Sequence, residues 1–189
     1  MAKFDFSNTF VSVTPGCADV YKVEIVTTEK TKTQKGTDRR RFQARVVEGA
    51  KTGTEQADCT IRDGFNLART PKQIKDDIKH DRDDQDKRDM DQMMNRMWMS
   101  FFLSVGFDQA EIREKGFDFD KVNDAGAFEN LIGRTGYVKF KPADPENGQR
   151  WPKTNWLTAN QWNAMCSAVE EIAAATTDDD DIFSRVLNG

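Results

Sequence analysis

Apolar and polar residues alternate along three segments in the first half of the chain. In the first of them Tyr21, Val23 and Ile25 alternate with Lys22 and Glu24. A period of two is typical of a β-strand that buries one face. Glycine-containing turns separate the segments. The pattern therefore predicts strands near residues 19–30, 38–48 and 55–63, joined as hairpins.

A helical pattern follows these strands. Thr70-Pro71 with Gln73 is typical of a helix start, because Thr caps the first turn and Pro fits within it. Apolar residues then recur every three or four positions from Met90 to Val105, which predicts a helix whose methionines and Trp98 lie in the core. The polar residues 75–89 fit either a projecting helix or a mobile loop. Two shorter helices are predicted from Asp108 to Gly116 and from Asp124 to Gly133.

Strand patterns return in the second half, around Val138 and again over residues 151–157, with the turn dipeptide Asn147-Gly148 between them. Thr158 begins a last amphipathic helix. The order predicts an α+β, mainly β domain over residues 1–175. Its expected fold is a five-stranded OB-fold barrel, with a helical insertion at about 70–133 between strands 3 and 4 and a C-terminal helix. A two-hairpin α+β sheet gives the same order. Residues 176–189 are predicted to be an acidic, disordered tail.

Charge is segregated along the chain. The 189 residues carry 28 Lys and Arg against 32 Asp and Glu, a net charge of −4, which excludes a uniformly basic protein. Residues 30–45 nevertheless hold seven basic residues and one acidic residue, and residues 139–153 hold four and two. In an OB-fold these segments are the β1–β2 and β4–β5 loops with their flanks, which lie beside the usual oligonucleotide site.

Basic and aromatic side chains on one face suit single-stranded DNA. Cations that meet phosphates release counterions, and flat rings stack on bases of any sequence. A solvated basic hairpin is an equally weighted alternative for residues 30–45, Tyr137 suits the core as well as a base, and Trp156 fits the core better. The predicted DNA-binding residues are Lys30, Lys32, Lys35, Arg39, Arg40, Arg41, Arg45, Arg62, Tyr137, Lys139, Lys141, Arg150, Trp151, Lys153 and Trp156.

Catalytic and metal-binding motifs are not found in the sequence. It holds one His, His80, and three widely separated cysteines, with no zinc-binding set and no phosphate-binding loop. We therefore expect no catalytic residue, metal or cofactor. The eight Asp between Asp76 and Asp91 are interspersed with Lys and Arg and fit a solvated helix face. The separated cysteines and the short apolar stretches predict a soluble protein of a reducing compartment that does not enter a membrane.

Five stretches of the sequence together resemble a known family. They are Tyr21 to Val26, Arg41 to Gly49, Phe101 to Gly106, Leu131 to Val138, and Asn147-Gly148. Over roughly Val20 to Leu157 their spacing resembles that of bacteriophage OB-fold single-stranded DNA-binding proteins. The resemblance implies a non-enzymatic protein that binds single-stranded DNA during phage replication or recombination, in the host cytoplasm.

The acidic tail has a resemblance of its own. Asp178, Asp179, Asp180, Asp181, Ile182 and Phe183 resemble the acidic end of bacterial single-stranded DNA-binding proteins, although the proline between Ile and Phe is absent. That resemblance implies contacts with replication or recombination proteins. A solubilising tail is the plain alternative. Homo-oligomerisation stays open.

Two rival functions follow from other parts of the chain. The acidic run and the tail together fit a phage module that engages a host replication or defence protein. A nuclease is the weaker rival, because Glu111, Glu114 and Lys115 share one short helix, whereas metal nucleases place such groups on adjoining strands.

Overall fold

Five antiparallel strands form one curled sheet. The computed structural model describes residues 13–172. The strands lie in the order β3-β2-β1-β4-β5 and make a half-barrel. Their bounds are β1 Asp19–Lys32, β2 Asp38–Gly49, β3 Thr60–Asn66, β4 Thr135–Lys141 and β5 Lys153–Leu157.

Four helices accompany the sheet in the described residues. Three of them lie between β3 and β4 along the chain, namely α1 (Pro71–Lys79), α2 (Gln85–Ser104) and α3 (Gln109–Lys115). The fourth, α4, covers residues 159–172 after β5. The prediction of an α+β domain with five strands is therefore confirmed at this level. The structure is OB-fold-like in its sheet.

The alternation that predicted β1 is also what curves it. Tyr21, Val23 and Ile25 are fully buried. The pairing of β1 with β2 shifts register after Lys22 and again between Ile25 and Thr27. Such bulges bend a strand and increase its twist. The sheet therefore curls around the side chains of its inner face.

Asp63 joins the two edge strands, β3 and β5. It lies on the inner face between Ile61 and Phe65, both of which are buried. Its Oδ2 accepts one hydrogen bond from the Thr154 hydroxyl at 2.6 Å and another from the Trp156 indole Nε1 at 3.0 Å. Both donors belong to β5. This carboxylate therefore links two edges that are not neighbours in the ladder of strands.

The core is rich in aromatic rings that α2 packs onto the sheet. Phe42 of β2 stacks on Phe101 of α2, with ring centroids 4.5 Å apart. Trp98 is buried, and its indole Nε1 donates to the Asn66 carbonyl at 2.9 Å. The Ser104 hydroxyl bonds the backbone of Tyr137 on β4 at 2.9 Å. Trp98 is thus a core residue, as its spacing predicted.

Two predicted elements are wrong in position or type. The third strand begins at Thr60, because residues 54–59 form turns in which Asp58 has a φ of 68°. The helix expected from Asp124 to Gly133 is a series of turns instead. There the amide of Ala127 bonds the Asp124 carbonyl, and the amide of Asn130 bonds the Ala127 carbonyl. Three-residue hydrogen bonds of this kind close turns and do not propagate an α-helix.

Residues 75–89 are mostly helical, with a break between α1 and α2. Arg69 organises this break from the end of the β3–α1 connection. Its guanidinium lies 2.8–3.0 Å from carboxylate oxygens of Asp77, Asp83 and Asp91. One cation thereby fixes α1, the α1–α2 connection and the first turns of α2. Many of the aspartates in this run are thus paired within the fold.

Helix α4 packs on the outer face of β4 and on the start of β1. Thr158 and Gln161 cap this helix reciprocally, as the sequence predicted. Val20, Leu157 and Trp162 form a small buried cluster at the contact. No helix among residues 13–172 is both long and apolar enough to cross a bilayer. The predicted acidic tail lies outside the described residues.

Tyr21 is expected to make stability fall at high pH. Its hydroxyl donates to the Cys17 carbonyl at 3.0 Å, and burial together with the Asp19 charge raises its pKa to about 12. The folded state therefore keeps a proton that the unfolded chain begins to lose near pH 10. We expect about 2 kcal/mol of stability to be present below pH 10 and lost toward pH 12.

The measurement is the free energy of urea unfolding at pH 9 and pH 11. Lysines and the other tyrosine titrate in the wild type and in Tyr21→Phe alike, so the difference between the two proteins isolates Tyr21. An equal loss in both proteins would contradict the assignment.

Candidate nucleic-acid interface

Three exposed arginines lie together on the outer face of β2 and β3. Arg41 and Arg45 flank Gln43 on β2, and Gln43 pairs with Arg62 of β3. All three arginines are exposed, while the intervening Phe42 and Ala44 are buried. Because side chains alternate between the faces of a strand, the three guanidinium groups share the outer face. We call Arg41, Arg45 and Arg62 the basic face.

Acidic side chains of β1 border this face. Glu29 pairs in register with Arg41, and Glu24 accepts from Arg45 at 2.5 Å, a contact that raises the pKa of Arg45. A shallow depression over the strands is lined in part by Glu29, Arg41 and Arg62. Within residues 13–172, neither Arg41 nor Arg62 forms an ion pair. These two arginines are therefore the freest cations of the basic face.

Arg39 lies on the same side of β2 but is tied to the sheet. Its guanidinium donates to the Gly64 carbonyl at 2.8 Å and is half-buried. Gly64 is required beside it, since a Cβ there would come within 2.5 Å of the Arg40 carbonyl oxygen. Arg39 thus presents only part of its guanidinium to solvent.

Lys30 and Arg40 point away from the basic face. Arg40 is buried, donates to the Phe119 carbonyl and lies 3.0 Å from Asp120. Lys30 reaches the same Asp120 oxygen at 3.0 Å and lowers the pKa of that carboxyl. Their shared role is to anchor the 117–123 segment on β1 and β2. Neither charge is available on the outer face that Arg41 and Arg62 occupy.

Lys32 and Lys35 extend the positive charge to the tip of the β1–β2 hairpin. Both are exposed. The tip turns at Gly36, whose φ of 81° favours glycine, and the Gly36 amide bonds the Thr33 carbonyl. Lys32 lies 3.8 Å from Asp38, a loose and solvated contact.

A second group of exposed cations lies on β4, β5 and their connection. It comprises Lys139, Lys141, Arg150 and Lys153, and Lys141 pairs with Lys153 in register. Asp63 bonds Thr154, the residue after Lys153, while Arg62 precedes Asp63 on β3. By the alternation of each strand, Lys153 and Arg62 face outward on the two edges that Asp63 links. The two basic groups therefore adjoin on one outer surface.

Only one of the three predicted stacking residues is open to solvent. Trp156 is buried, with its indole bonded to Asp63. Tyr137 is half-buried and stacks on Trp162 of α4, with centroids 5.3 Å apart. Trp151, in the β4–β5 connection, is 79% exposed. Its neighbour Arg150 is exposed as well, so ring and cation are adjacent there.

The predicted burial of the methionine stripe is wrong. Of the methionines in the predicted stripe, Met90 and Met97 are 49% and 42% exposed and Met94 is half-buried, and Met93, beside the stripe, is 50% exposed. The fully buried residues of α2 are Trp98 and three residues after it, so the first half of the helix has no such contact with the core. The helical spacing identified an apolar stripe, but it did not indicate at which residue of the helix the contact with the sheet begins.

The sequence also singled out acidic residues of α3 and of the C-terminal segment. Among the described residues, no three His, Cys, Asp or Glu side chains form a group that would hold a metal ion. Glu111 and Lys115 of α3 pair with each other at 2.6 Å. The tail residues Asp178, Asp179, Asp180, Asp181, Ile182 and Phe183 lie outside the described part of the chain.

Comparison of the sequence with protein-family models and with curated proteins finds no match. The function of this surface therefore has to be inferred from its own charge and geometry.

Proposed function

We propose that this protein binds single-stranded DNA, with tolerance of sequence, on the outer face of β2 and β3. The observation that carries the proposal is the basic face, where Arg41 and Arg62 are exposed and adjacent. Guanidinium groups bind phosphate through paired, charge-assisted hydrogen bonds. Contacts to phosphate carry no information about the base. Binding through this face is therefore expected to depend on salt far more than on sequence.

The proposal includes the assignment of the half-barrel to the OB-fold. Its support is the strand order, in which β1 pairs with both β2 and β4 while Asp63 links the edges β3 and β5. In OB-folds the β2–β3 face and the β1–β2 and β4–β5 loops bind oligonucleotides. In this chain the basic face, the exposed lysines of the β1–β2 hairpin and the exposed cations around the β4–β5 connection lie at those three places.

Fewer residues are proposed to contact DNA than the sequence predicted. Lys30 and Arg40 are left out because they pair with Asp120, and Tyr137 and Trp156 because other side chains cover them. The proposed contact residues are Arg41, Arg45 and Arg62 at the centre, with Lys32, Lys35, Arg39, Lys139, Lys141, Arg150, Trp151 and Lys153 around them.

The biological setting is a proposal drawn from the family resemblance. We infer a non-enzymatic phage protein that protects or presents single strands during replication or recombination in the host cytoplasm. The acidic tail is proposed to contact other proteins of these processes. The rival module that engages a host protein through acidic segments loses part of its basis, because Asp77, Asp83 and Asp91 are occupied by Arg69.

Titration of a labelled oligonucleotide distinguishes the proposed function from its rivals. Single-stranded and duplex oligonucleotides of equal length are titrated at two salt concentrations, with and without magnesium. We expect tight binding to the single strand, weaker binding to the duplex, and no cleavage. An absence of binding would favour the protein-binding module, and magnesium-dependent cleavage would favour a nuclease.

Trp151 is expected to report this binding by fluorescence. The other three tryptophans, Trp98, Trp156 and Trp162, are buried, so a base can stack on Trp151 alone among them. Single-stranded DNA should quench the emission of the wild type and leave Trp151→Phe almost unchanged. A second variant, Trp151→Ala, should bind about tenfold more weakly, since removing the ring removes a base stack that contributes about 1–3 kcal/mol. Equal quenching in the wild type and in Trp151→Phe would show that Trp151 is not at the site.

A further inference from the structure

An apolar patch adjoins the cations of the β1–β2 hairpin. Five of the seven methionines lie on α2. Met90 and Met94 of that helix form one wall of a groove of about 620 Å³. Lys32, Lys35, Arg39 and Arg41 line the same groove. Its volume falls within the ~300–1,000 Å³ of typical ligand clefts.

The charge of this groove indicates the kind of ligand that it would bind. Four of its lining residues are basic and none is acidic, in a chain whose net charge is −4. Of these four residues, Lys32 alone forms an ion pair within residues 13–172, a loose one with Asp38 at 3.8 Å. A groove with cations on one wall and thioethers on the other suits a ligand that is anionic along one edge and aromatic along the other. Single-stranded nucleic acid has that character.

We propose that Met90 and Met94 form a subsite that binds nucleobases. A single strand bound to the basic face would pass around the β1–β2 hairpin and place its bases in this subsite. This inference rests on the proposed function and extends it. Arg41 lines both the depression over the basic face and the groove. The backbone of one strand can therefore continue from the basic face into the groove. Polarizable thioethers make favourable contacts with aromatic rings and adapt to rings of different shape.

The subsite explains how bases are held where no aromatic ring is open. Of the predicted stacking residues, Tyr137 and Trp156 are covered, and Trp151 lies in the β4–β5 connection. The hairpin end of the surface would otherwise offer bases only charged and polar groups. Methionines there supply apolar contact without selecting one base.

The test replaces the thioethers and leaves the cations. Gln keeps the length and helix propensity of Met, so Met90→Gln with Met94→Gln should fold normally. We expect this double variant to bind oligothymidylate about tenfold more weakly, with an unchanged salt slope because no phosphate contact is lost. An abasic oligonucleotide of equal length should bind the wild type and the variant alike. Met93→Gln is the matched control, since Met93 is as exposed as Met90 but does not line the groove.

Methyl spectra of ¹³C-methionine-labelled protein provide a second measurement. Oligothymidylate should shift the Met90 and Met94 methyl signals through base ring currents, whereas the abasic strand should not. If the double variant binds oligothymidylate within twofold of the wild type and these methyls do not move, the subsite is wrong even though DNA binds. If the wild type binds no single strand, the subsite and the proposed function fail together.

Discussion

Replacing both Arg41 and Arg62 with alanine is expected to weaken the binding of single-stranded DNA about 100-fold at low salt. Both guanidinium groups are exposed, and neither has an ion-pair partner within residues 13–172. Each would lose a charge-assisted hydrogen bond of about 1.5 kcal/mol to phosphate. The slope of log affinity against log salt should become shallower by about 1.4, since each single-strand phosphate contact contributes about 0.7. Fluorescence anisotropy over a salt series measures both quantities.

A matched control separates the position of the charge from its amount. Arg96 of α2 and Arg113 of α3 are also exposed. The double variant Arg96→Ala, Arg113→Ala changes the net charge equally and should retain affinity within about twofold of the wild type and the full salt slope. Equal weakening in the two double variants would mean that the net charge, and not the basic face, drives binding.

Replacing Asp63 with alanine is expected to destabilise the fold by about 3 kcal/mol. The Thr154 hydroxyl and the Trp156 indole would both lose their charged acceptor, and hydrogen bonds to charged groups contribute about 1.5–3 kcal/mol each. The ring of Trp156 is buried, so water replaces the acceptor poorly. Urea unfolding followed by far-ultraviolet circular dichroism gives the free energy of unfolding.

Asp63→Asn is the companion variant. Its amide oxygen can still accept at the same position, so the loss should be less than half of that in Asp63→Ala. A wild-type midpoint in Asp63→Ala would show that the carboxylate does not hold β3 to β5.

The strands of the sheet and most helix starts could be predicted, because the sequence patterns that mark them are local. Alternation at Tyr21, Val23 and Ile25 marked β1, and the capping residues Thr70, Asp108 and Thr158 marked three helix starts. Each signal depends on the backbone within a few residues, so no knowledge of distant contacts was needed. The concentration of cations on the β1–β2 hairpin was readable for the same reason.

The division of the basic residues into free and paired could not be predicted. Arg40 and Arg41 are neighbours in sequence, yet one pairs with Asp120, eighty residues away, and the other is exposed. Alternation places them on opposite faces, but only the tertiary fold shows which face is covered by the 117–123 segment. The role of Asp63 could have been found from the sequence, because it is a charged residue in an inward position between Ile61 and Phe65. Such a residue needs a partner inside the fold.

The central claim is that a single strand lies across the outer face of β2 and β3, and photocrosslinking tests it most directly. Oligonucleotides with 4-thiothymidine at successive positions are irradiated with the full-length protein, and the adducts are located by mass spectrometry. We expect adducts within residues 27–45 and 60–66 and at Trp151. Adducts confined to α3 or α4, with none on β2 or β3, would contradict it.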